Sequence, residues 1–424
     1  MKKVIIVLLL LSGISLSIKV SAQSDTLKLT LPEAENAFTE NNLQLIASKL
    51  GISESKAYEI QAGLRVNPNL YVEHMPYNSQ KKELGGLNQN NSEQVIQFQY
   101  LVQMAQKRQK AVTLARANTE QSENSFRELI RNLRYQLRST FYDLFFTNQA
   151  LLVYDQEINT LQQTLVAYQE QYNKGNIPLK DLTRLKAYLV SLTTEKQQRI
   201  QQKIDDEQDL GFLIGAKNYA IQPIINQNST TDNFKSLTIS NLLEFANENR
   251  YDLKSSQTQR KIEESNLSLQ NAIRKPDLTL QMTYDRNGSY IANYVGVGVG
   301  MNLPVFNKNQ GNIQAAQIRI QEAEKLQSSY QFRVEKEIQN AYFKARQADE
   351  IAKTIDTKFS EDFSKLIAGV LDNYKKQNIT VVEFIDFFDS YKQTILQYNQ
   401  LQNDKISSFE NLNFVVGKNI LNQN

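Results

Sequence analysis

From Met104 to Tyr172 the chain contains neither proline nor glycine. At 1.5 Å per residue an uninterrupted helix over that stretch spans roughly 100 Å, far more than a compact domain needs. A heptad register runs through it at Ile130, Leu137, Leu144, Leu151, Ile158, Leu165 and Tyr172. Phe126, Leu133, Thr140, Thr147, Tyr154, Leu161 and Tyr168 occupy the complementary position. A 3-4 pattern sustained this long predicts coiled-coil packing against partner helices. Asn312–Lys376 repeats the design with Gly369 as its one breaker. A short turn follows each rod, at Asn173–Pro178 and Gln377–Thr380, and a second helix returns.

The chain is also an internal duplication, the first thing to seek in an unfamiliar sequence. Leu29-Thr30-Leu31 through Asn67-Pro68-Asn69-Leu70 corresponds to Leu237-Thr238-Ile239 through Lys275-Pro276-Asp277-Leu278, at an offset of 208. Tyr172–Ile177 corresponds to Tyr374–Ile379, and Leu210–Gly215 to Leu412–Gly417, both at an offset of 202. Each half should end its last helix on that final glycine, where a left-handed residue is favoured. The expected organisation is a first repeat over 23–217 and a second over 237–424, separated by a linker or equatorial segment at 218–236 that includes the polar stretch Ile225–Asn233. In the first repeat, helical periodicity from about Pro32 to Arg65 leads to a strand hairpin at about 69–103 and a long helical hairpin at 104–215. The second has its strand hairpin at 277–305 and its helical hairpin at 312–416.

The strands show a period of two. Leu278, Leu280, Met282 and Tyr284 alternate with Thr279, Gln281, Thr283 and Asp285. After the Asn287-Gly288 turn signal, Val295, Val297, Val299, Met301 and Leu303 alternate with Gly296, Gly298, Gly300 and Asn302. Leu70–Met75 and Val95–Gln103 are weaker counterparts, with Ile96, Phe98, Tyr100 and Val102 on one face. Apolar-out, polar-in alternation suits a membrane barrel, and it equally suits an amphipathic hairpin on a soluble core.

Composition narrows the chemistry. The 424 residues hold no cysteine and one histidine, His74. That leaves out disulfides, cysteine-based metal centres and thiol catalysis, and it argues against a histidine-based hydrolase or metal site. His74-Met75 is read as a loop or barrel pair and not as a metal site. No phosphate-binding glycine loop, nucleophile elbow or ligand cluster is present, so the expectation is a non-enzyme without cofactors or bound metal. Lys2 and Lys3, the apolar run Val4–Leu11 and Val20-Ser21-Ala22 make residues 1–22 a secretory signal peptide. Its removal takes three lysines and no acids, leaving 45 bases against 45 acids. A neutral exported chain has no general electrostatic reason to bind nucleic acid. No later apolar run is long enough for a transmembrane helix, so contact with a bilayer core requires a β-barrel.

Four strands per chain cannot close such a barrel, since known ones begin at about eight. Open edges are not tolerated in lipid, so several chains would have to share one barrel. Three chains supply about twelve strands; the arithmetic alone leaves two or four open.

The duplicated layout, Tyr172-x-x-Gly175 followed by Asp181-Leu182, the Leu210–Gly215 ending, and Pro304-Val305-Phe306-Asn307-x-x-x-Gly311-x-Ile313-x-Ala315-Ala316 resemble the TolC family of outer membrane efflux proteins. The last motif is most similar to its CzcC-type branch. The resemblance covers about residues 25–420. It implies an α+β membrane protein: a homotrimer sharing one 12-stranded β-barrel in the outer membrane of a Gram-negative bacterium. A long α-helical coiled-coil barrel would continue it as a tunnel through the periplasm. It further implies docking to a periplasmic adaptor (membrane fusion protein) and an inner-membrane pump. Many relatives carry a lipidated N-terminal cysteine, which this chain lacks.

The same resemblance singles out residues. Glu383 and Asp386 sit three apart on one face of the last return helix, about a turn beyond the tip, and match paired acidic positions that ring the closed periplasmic entrance. The bland alternative is a solvated acidic face, though Phe384, Ile385, Phe387 and Phe388 make a simple exposed face less comfortable. Asp389 continues the spacing without a family match. Asp181 and Tyr374 correspond to positions near that gate; a core tyrosine of a coiled coil would look the same as the latter. Gly175, Asn176, Pro178, Gln377 and Asn378 form the two tips, which the resemblance makes the adaptor-docking surface. Gly175 suits a positive φ and Pro178 an early helix position, whereas the second tip has Gln377 where the first has glycine. Lys107 and Arg108 follow a strand and are placed at the periplasmic rim. Tyr71, Tyr77, Tyr100, Tyr284, Tyr290 and Tyr294 are candidates for an aromatic girdle.

Read together, these features point to a passive export duct for small molecules or metal cations in a tripartite efflux system. A duct for type I protein secretion is the near alternative, and a secreted coiled-coil structural or adaptor protein without a pore is the alternative of another class.

Overall fold

The computed structural model describes residues 26–80, 82–86, 92–217, 220–225, 234, 237–288, 290–354, 359–376 and 378–421. Residues 1–22, read above as a signal peptide, most of the polar stretch 225–233, and Gln377 lie outside them. In chain order the elements are β1 (Thr26–Thr30), α1 (Leu31–Asn41), α2 (Leu43–Gly63), β2 (Asn69–His74), β3 (Tyr77–Asn78), β4 (Glu83–Leu84), β5 (Gln94–Val102), α3 (Lys107–Asn173) and α4 (Leu179–Ile214). The second half continues with β6 (Ala220–Ile224), α5 (Ile239–Asn249), α6 (Tyr251–Ile273), β7 (Leu278–Asp285), β8 (Tyr294–Met301), α7 (Gln310–Thr354), α8 (Phe359–Lys375) and α9 (Val381–Val416).

The stretch without breakers is one helix: α3 runs for 67 residues. It packs on α4 along one side and on α9 along the other, and α9 in turn packs on α7. Beyond the joint, α2, α3, α6 and α7 form a second row of neighbours. Because α3 serves two neighbours, one heptad seam does not describe its buried face. In the half nearer the sheet Leu133, Leu137 and Leu144 are buried, as the register predicts. Further along, Ala150, Glu157 and Thr164 join Tyr154 and Leu161 inside, while Leu151, Ile158 and Leu165 are half-buried. A straight helix drifts about 20° per heptad against a strict seven-residue repeat, so the stripe meets a different neighbour as it proceeds. Gly369 lies inside α8 without interrupting it.

The region read as one helix from Pro32 to Arg65 is two. Asn42 is extended (φ −67°, ψ 114°), accepts a bond from Leu45 N and donates its side-chain amide to the buried carbonyl of Leu213 at 2.9 Å. Arg250 makes the equivalent break between α5 and α6 and donates to the carbonyl of Val415 at 3.0 Å. Offsets of 208 and 202 make Asn42 and Arg250, and Leu213 and Val415, corresponding residues. Gly215 (φ +68°) and Gly417 (φ +76°) end α4 and α9 in the left-handed region, and a side chain at either would crowd Asn41 or Asn249. Residues 220–224, read from sequence as part of a linker or equatorial segment, form a strand, β6, which pairs in parallel with β1. Pro223 and the shortness of both strands hid this pairing, since proline inside a run argues against a strand.

The sheet places β2, β5, β7 and β8 side by side in that order, all antiparallel. Its register makes two chemically distinct faces. Rows such as Val72, Ile96, Tyr284, Val295 and Leu70, Phe98, Met282, Val297 are apolar. The intervening rows are Tyr71, Gln97, Thr283, Gly296 and Asn69, Gln99, Gln281, Gly298. Side-chain bonds from Gln97 to Thr283 and from Gln99 to Gln281, both 3.4 Å, lace the polar face. The apolar face stays exposed, with Val297 at 86%, and among the described residues no helix packs extensively on it. Of the expected girdle, Tyr100 and Tyr284 stand toward opposite ends of the apolar face. Tyr71 and Tyr294 share the polar face, and Tyr77 belongs to the small β3–β4 ladder. Lys107 pairs with Asp277 at 2.8 Å and Arg108 reaches the carbonyl of Gly63, fastening the sheet to the helices.

Among the described residues no helix is long and apolar enough to cross a membrane.

Candidate functional site

Two helical tips lie farthest from the sheet. At the first, α3 ends in a paired-bond cap: Gly175 N donates to Tyr172 O and Asn176 N to Gln171 O, both at 2.9 Å. Gly175 takes φ +77° with open space where a Cβ would be, so its need for glycine is conformational. The Asn176 side-chain amide closes on Gln171 at 2.7 Å. The second tip repeats the long bond, Asn378 N to Asn373 O at 2.9 Å. It also repeats the side-chain bond, Asn378 to Asn373 at 3.1 Å. Position 377, the counterpart of Gly175, lies outside the described residues.

The return helices start differently. Pro178 stands at the N-cap of α4 with no side-chain cap bond, and Asp181 lies in the first turn. At the corresponding place Thr380 caps α9 and forms a capping box with Glu383. Thr380 N and its hydroxyl donate to the Glu383 carboxylate at 2.8 Å each, and Glu383 N donates back to Thr380 Oγ1 at 3.2 Å. The backbone bond from Thr380, and then its hydroxyl, hold Glu383 below the usual carboxylate range. Glu383 and Asp386 are exposed on one face of α9 beside the half-exposed Phe387. Val381, Phe384 and Phe388 are buried on the opposite face.

Tyr374 is 1% exposed and lies sandwiched between two rings. Tyr168 stacks at 4.9 Å and 10°, Phe384 at 4.1 Å and 9°. Its hydroxyl is buried without a hydrogen bond. The two phenols are close enough for each to affect the other's ionisation while falling short of hydrogen-bond geometry, and burial, then Tyr168, pushes the Tyr374 phenol up. This is a packing role within the aromatic core beside the tips. Its counterpart Tyr172 is only half-buried.

Other candidates fall elsewhere. His74 pairs with Gln94 at the end of β2, and among the described residues no three metal-ligating side chains come together. A cavity of about 510 Å³ lies at the joint, lined in part by Arg127, Arg131, Arg134, Arg138, Glu410 and Lys418. Arg138 is engaged there with Glu35 at 2.6 Å and with both oxygens of buried Glu410, tying α3 to α1 and α9. Sequence reading missed a buried charged cluster between α3, α4 and α9, centred on Lys392 and Glu157. In sequence Glu157 sits beside the heptad position of Ile158, and it is the joint packing of α4 and α9 on α3 that turns it inward.

A wall of long helices carrying a small sheet with one apolar and one polar face defines the TolC-type fold of outer membrane channels. No family model matches the chain, and no curated protein matches its sequence. The chain is similar in fold to the Campylobacter jejuni CmeC outer membrane channel, at 12% identity and TM-score 0.74 over 93% of this chain and 87% of that one. It is similar to the Vibrio cholerae outer membrane protein VceC, at 16% identity and TM-score 0.71 over 92% and 96%. Likewise it resembles the open state of the Neisseria gonorrhoeae MtrE outer membrane channel, at 15% identity and TM-score 0.69 over 92% and 89%.

Proposed function

We propose that the protein is the outer membrane duct of a tripartite efflux system, a passive conduit built from three copies of the chain. The observation that carries this reading is the sheet. Among the described residues its apolar face is uncovered, its polar face carries glutamine, threonine and glycine, and its edge strands β2 and β8 have no partner on their outer sides. In lipid such a sheet is stable only when closed, and three copies give about twelve strands. The helical wall supports the same reading: α4 and α7 flank it and expose Val190, Ile204, Phe332 and Phe343, apolar side chains for a neighbouring copy to cover.

In this reading the sheet lies in the outer membrane of a Gram-negative bacterium and the helices form a periplasmic tunnel. Glu383 and Asp386 from each copy converge at its narrow end, with Asp181 and Tyr374 close by. The tips, Gly175, Asn176, Pro178, Gln377 and Asn378, meet a periplasmic adaptor that links the duct to an inner-membrane pump. The cargo is a small molecule or metal cation, consistent with the CzcC-like motif at Pro304–Ala316.

Fractionation is the decisive experiment. The processed chain should sediment with the outer membrane, run as a cross-linkable trimer in detergent, and conduct ions in planar bilayers. Recovery as a soluble periplasmic monomer would refute the duct. Gly175→Pro should then reduce export without affecting trimer insertion, because it removes both the left-handed option and a backbone donor.

A further inference from the structure

Lys392 of α9 is fully buried. Two of its three donor positions are occupied, by Glu195 Oε2 of α4 and Asp389 Oδ1 of α9, each at 2.8 Å. Tyr154 of α3 and Ser191 of α4 also donate to Glu195, both at 3.2 Å. Those two carboxylates already outnumber the one ammonium. A third, Glu157 of α3, is 1% exposed, and neither of its oxygens has a hydrogen-bond partner. The Tyr188 hydroxyl of α4 is buried in the same cluster, beside Asp389 but short of bonding geometry. Apolar Leu161, Leu192 and Phe388 belong to the surrounding core.

An ionised Glu157 would give this seam two net negative charges with none of the new carboxylate's solvation replaced. As a neutral acid it demands much less. We propose that Glu157 is a proton-operated latch: protonated, it lets α3, α4 and α9 close around Lys392, and ionised, it drives them to admit water and separate. The charged and titratable groups facing it are Lys392 and Asp389 from α9 and Glu195 and Tyr188 from α4, with Tyr154 on its own helix; Arg199 of α4 acts on Tyr154.

Burial raises the Glu157 carboxyl to about 8, against the attraction of Lys392 and with the repulsion of Asp389 and Glu195. The sign follows from linkage. The value in the packed state lies above that of the opened chain, so the stabilisation is complete below the ordinary carboxylate range and is lost as pH rises through about 8. The latch thus holds the two helical hairpins together most firmly in mild acid and loosens them progressively as pH rises toward about 8.

Hydrogen exchange on the purified full chain, corrected for the intrinsic pH dependence of exchange, tests this without relying on export. Protection in 150–164 and 385–399 should fall by about tenfold per pH unit between pH 6 and 8, the dependence expected for loss of one proton on opening. Glu157→Gln keeps the shape, cannot ionise, and should flatten that profile. It should also remove a protonated-carboxyl infrared band present in the wild type at pH 7. Lys392→Met should move the loss of protection to higher pH, because it removes the cation that favours charged Glu157. Should that variant not fold, Glu157→Gln decides alone. The same pH profile in wild type and Glu157→Gln, or no difference in the infrared band, would overturn the latch.

Discussion

The two halves of the chain agree at one end of their long helices and part company at the other. At the joint, Asn42 and Arg250 break corresponding helices and reach corresponding carbonyls, those of Leu213 and Val415. Gly215 and Gly417 end the return helices with the same left-handed geometry, pressed against Asn41 and Asn249. At the tips, the turn bonds of Asn176 and Asn378 coincide, yet the side chains around them do different things. Pro178 faces Thr380 in the comparison, Asp181 faces Glu383, and a half-buried Tyr172 stands against Tyr374 in a three-ring stack. Backbone closure fixes a turn through a few bonds and leaves the neighbouring faces free to diverge. At its tip the second half sets Glu383 and Asp386 on the exposed face of its return helix, with Phe384 and Tyr374 buried behind them, where the first half has Asp181 in the first turn.

The strongest way to test that contrast is to remove the corresponding tyrosines. Tyr374→Ala empties a fully buried stack and should destabilise by about 3–5 kcal/mol, whereas Tyr172→Ala should cost about 1 kcal/mol or less. Denaturant midpoints of the two variants measure the difference. Equal losses would mean that the halves pack their tips alike.

Glycine substitutions come next. Gly215→Ala and Gly417→Ala should each cost about 1–2 kcal/mol from the left-handed backbone, with an added penalty from crowding Asn41 or Asn249. Gly175→Ala carries only the backbone cost, since nothing lies within 4 Å of its added Cβ. Thermal scans should therefore group the two joint glycines and separate Gly175 from them.

The caps should show a smaller asymmetry. Thr380→Ala removes the capping box of α9 and should cost about 1 kcal/mol; Pro178→Ala has no side-chain bond to lose. The pH dependence has a definite sign. Thr380 depresses the Glu383 carboxyl, so the cap stabilises above the ordinary carboxylate range and fades as pH falls through the lowered value. In Thr380→Ala, the titration of Glu383 followed by NMR should move upward.

The smallest effect on stability is expected for Glu383→Gln with Asp386→Asn, because both side chains are exposed. Conductance should respond instead. A ring of convergent carboxylates favours monovalent cations and binds multivalent ones, so the double variant should lose cation selectivity and multivalent block. Unchanged bilayer recordings would leave the pair as a solvated face and place the constriction elsewhere.

Much of this architecture is local in origin, which is why it is legible in the residues. The absence of breakers from Met104 to Tyr172 dictates a very long helix. The alternation through Leu278–Met301 dictates a two-faced strand pair, and Gly215, Gly417 and Gly175 mark left-handed ends because few other residues tolerate that geometry. The repeat offsets of 208 and 202 carry these signals from one half to the other. What depends on distant partners was not legible. The β1–β6 pair joins residues nearly 200 positions apart through strands too short to announce themselves. Which side of α3 is buried depends on α4 and α9 both claiming it, so Glu157 enters a seam that the heptad alone assigns to Ile158. Glu383 reads in sequence as one of two acidic residues on a helix; only the folded turn shows its carboxylate bent back onto Thr380. Periodicity and backbone preference act within a few residues and determine the elements. Burial, charge pairing and the partners of each side chain are set by which elements meet, and that was decided by the tertiary structure.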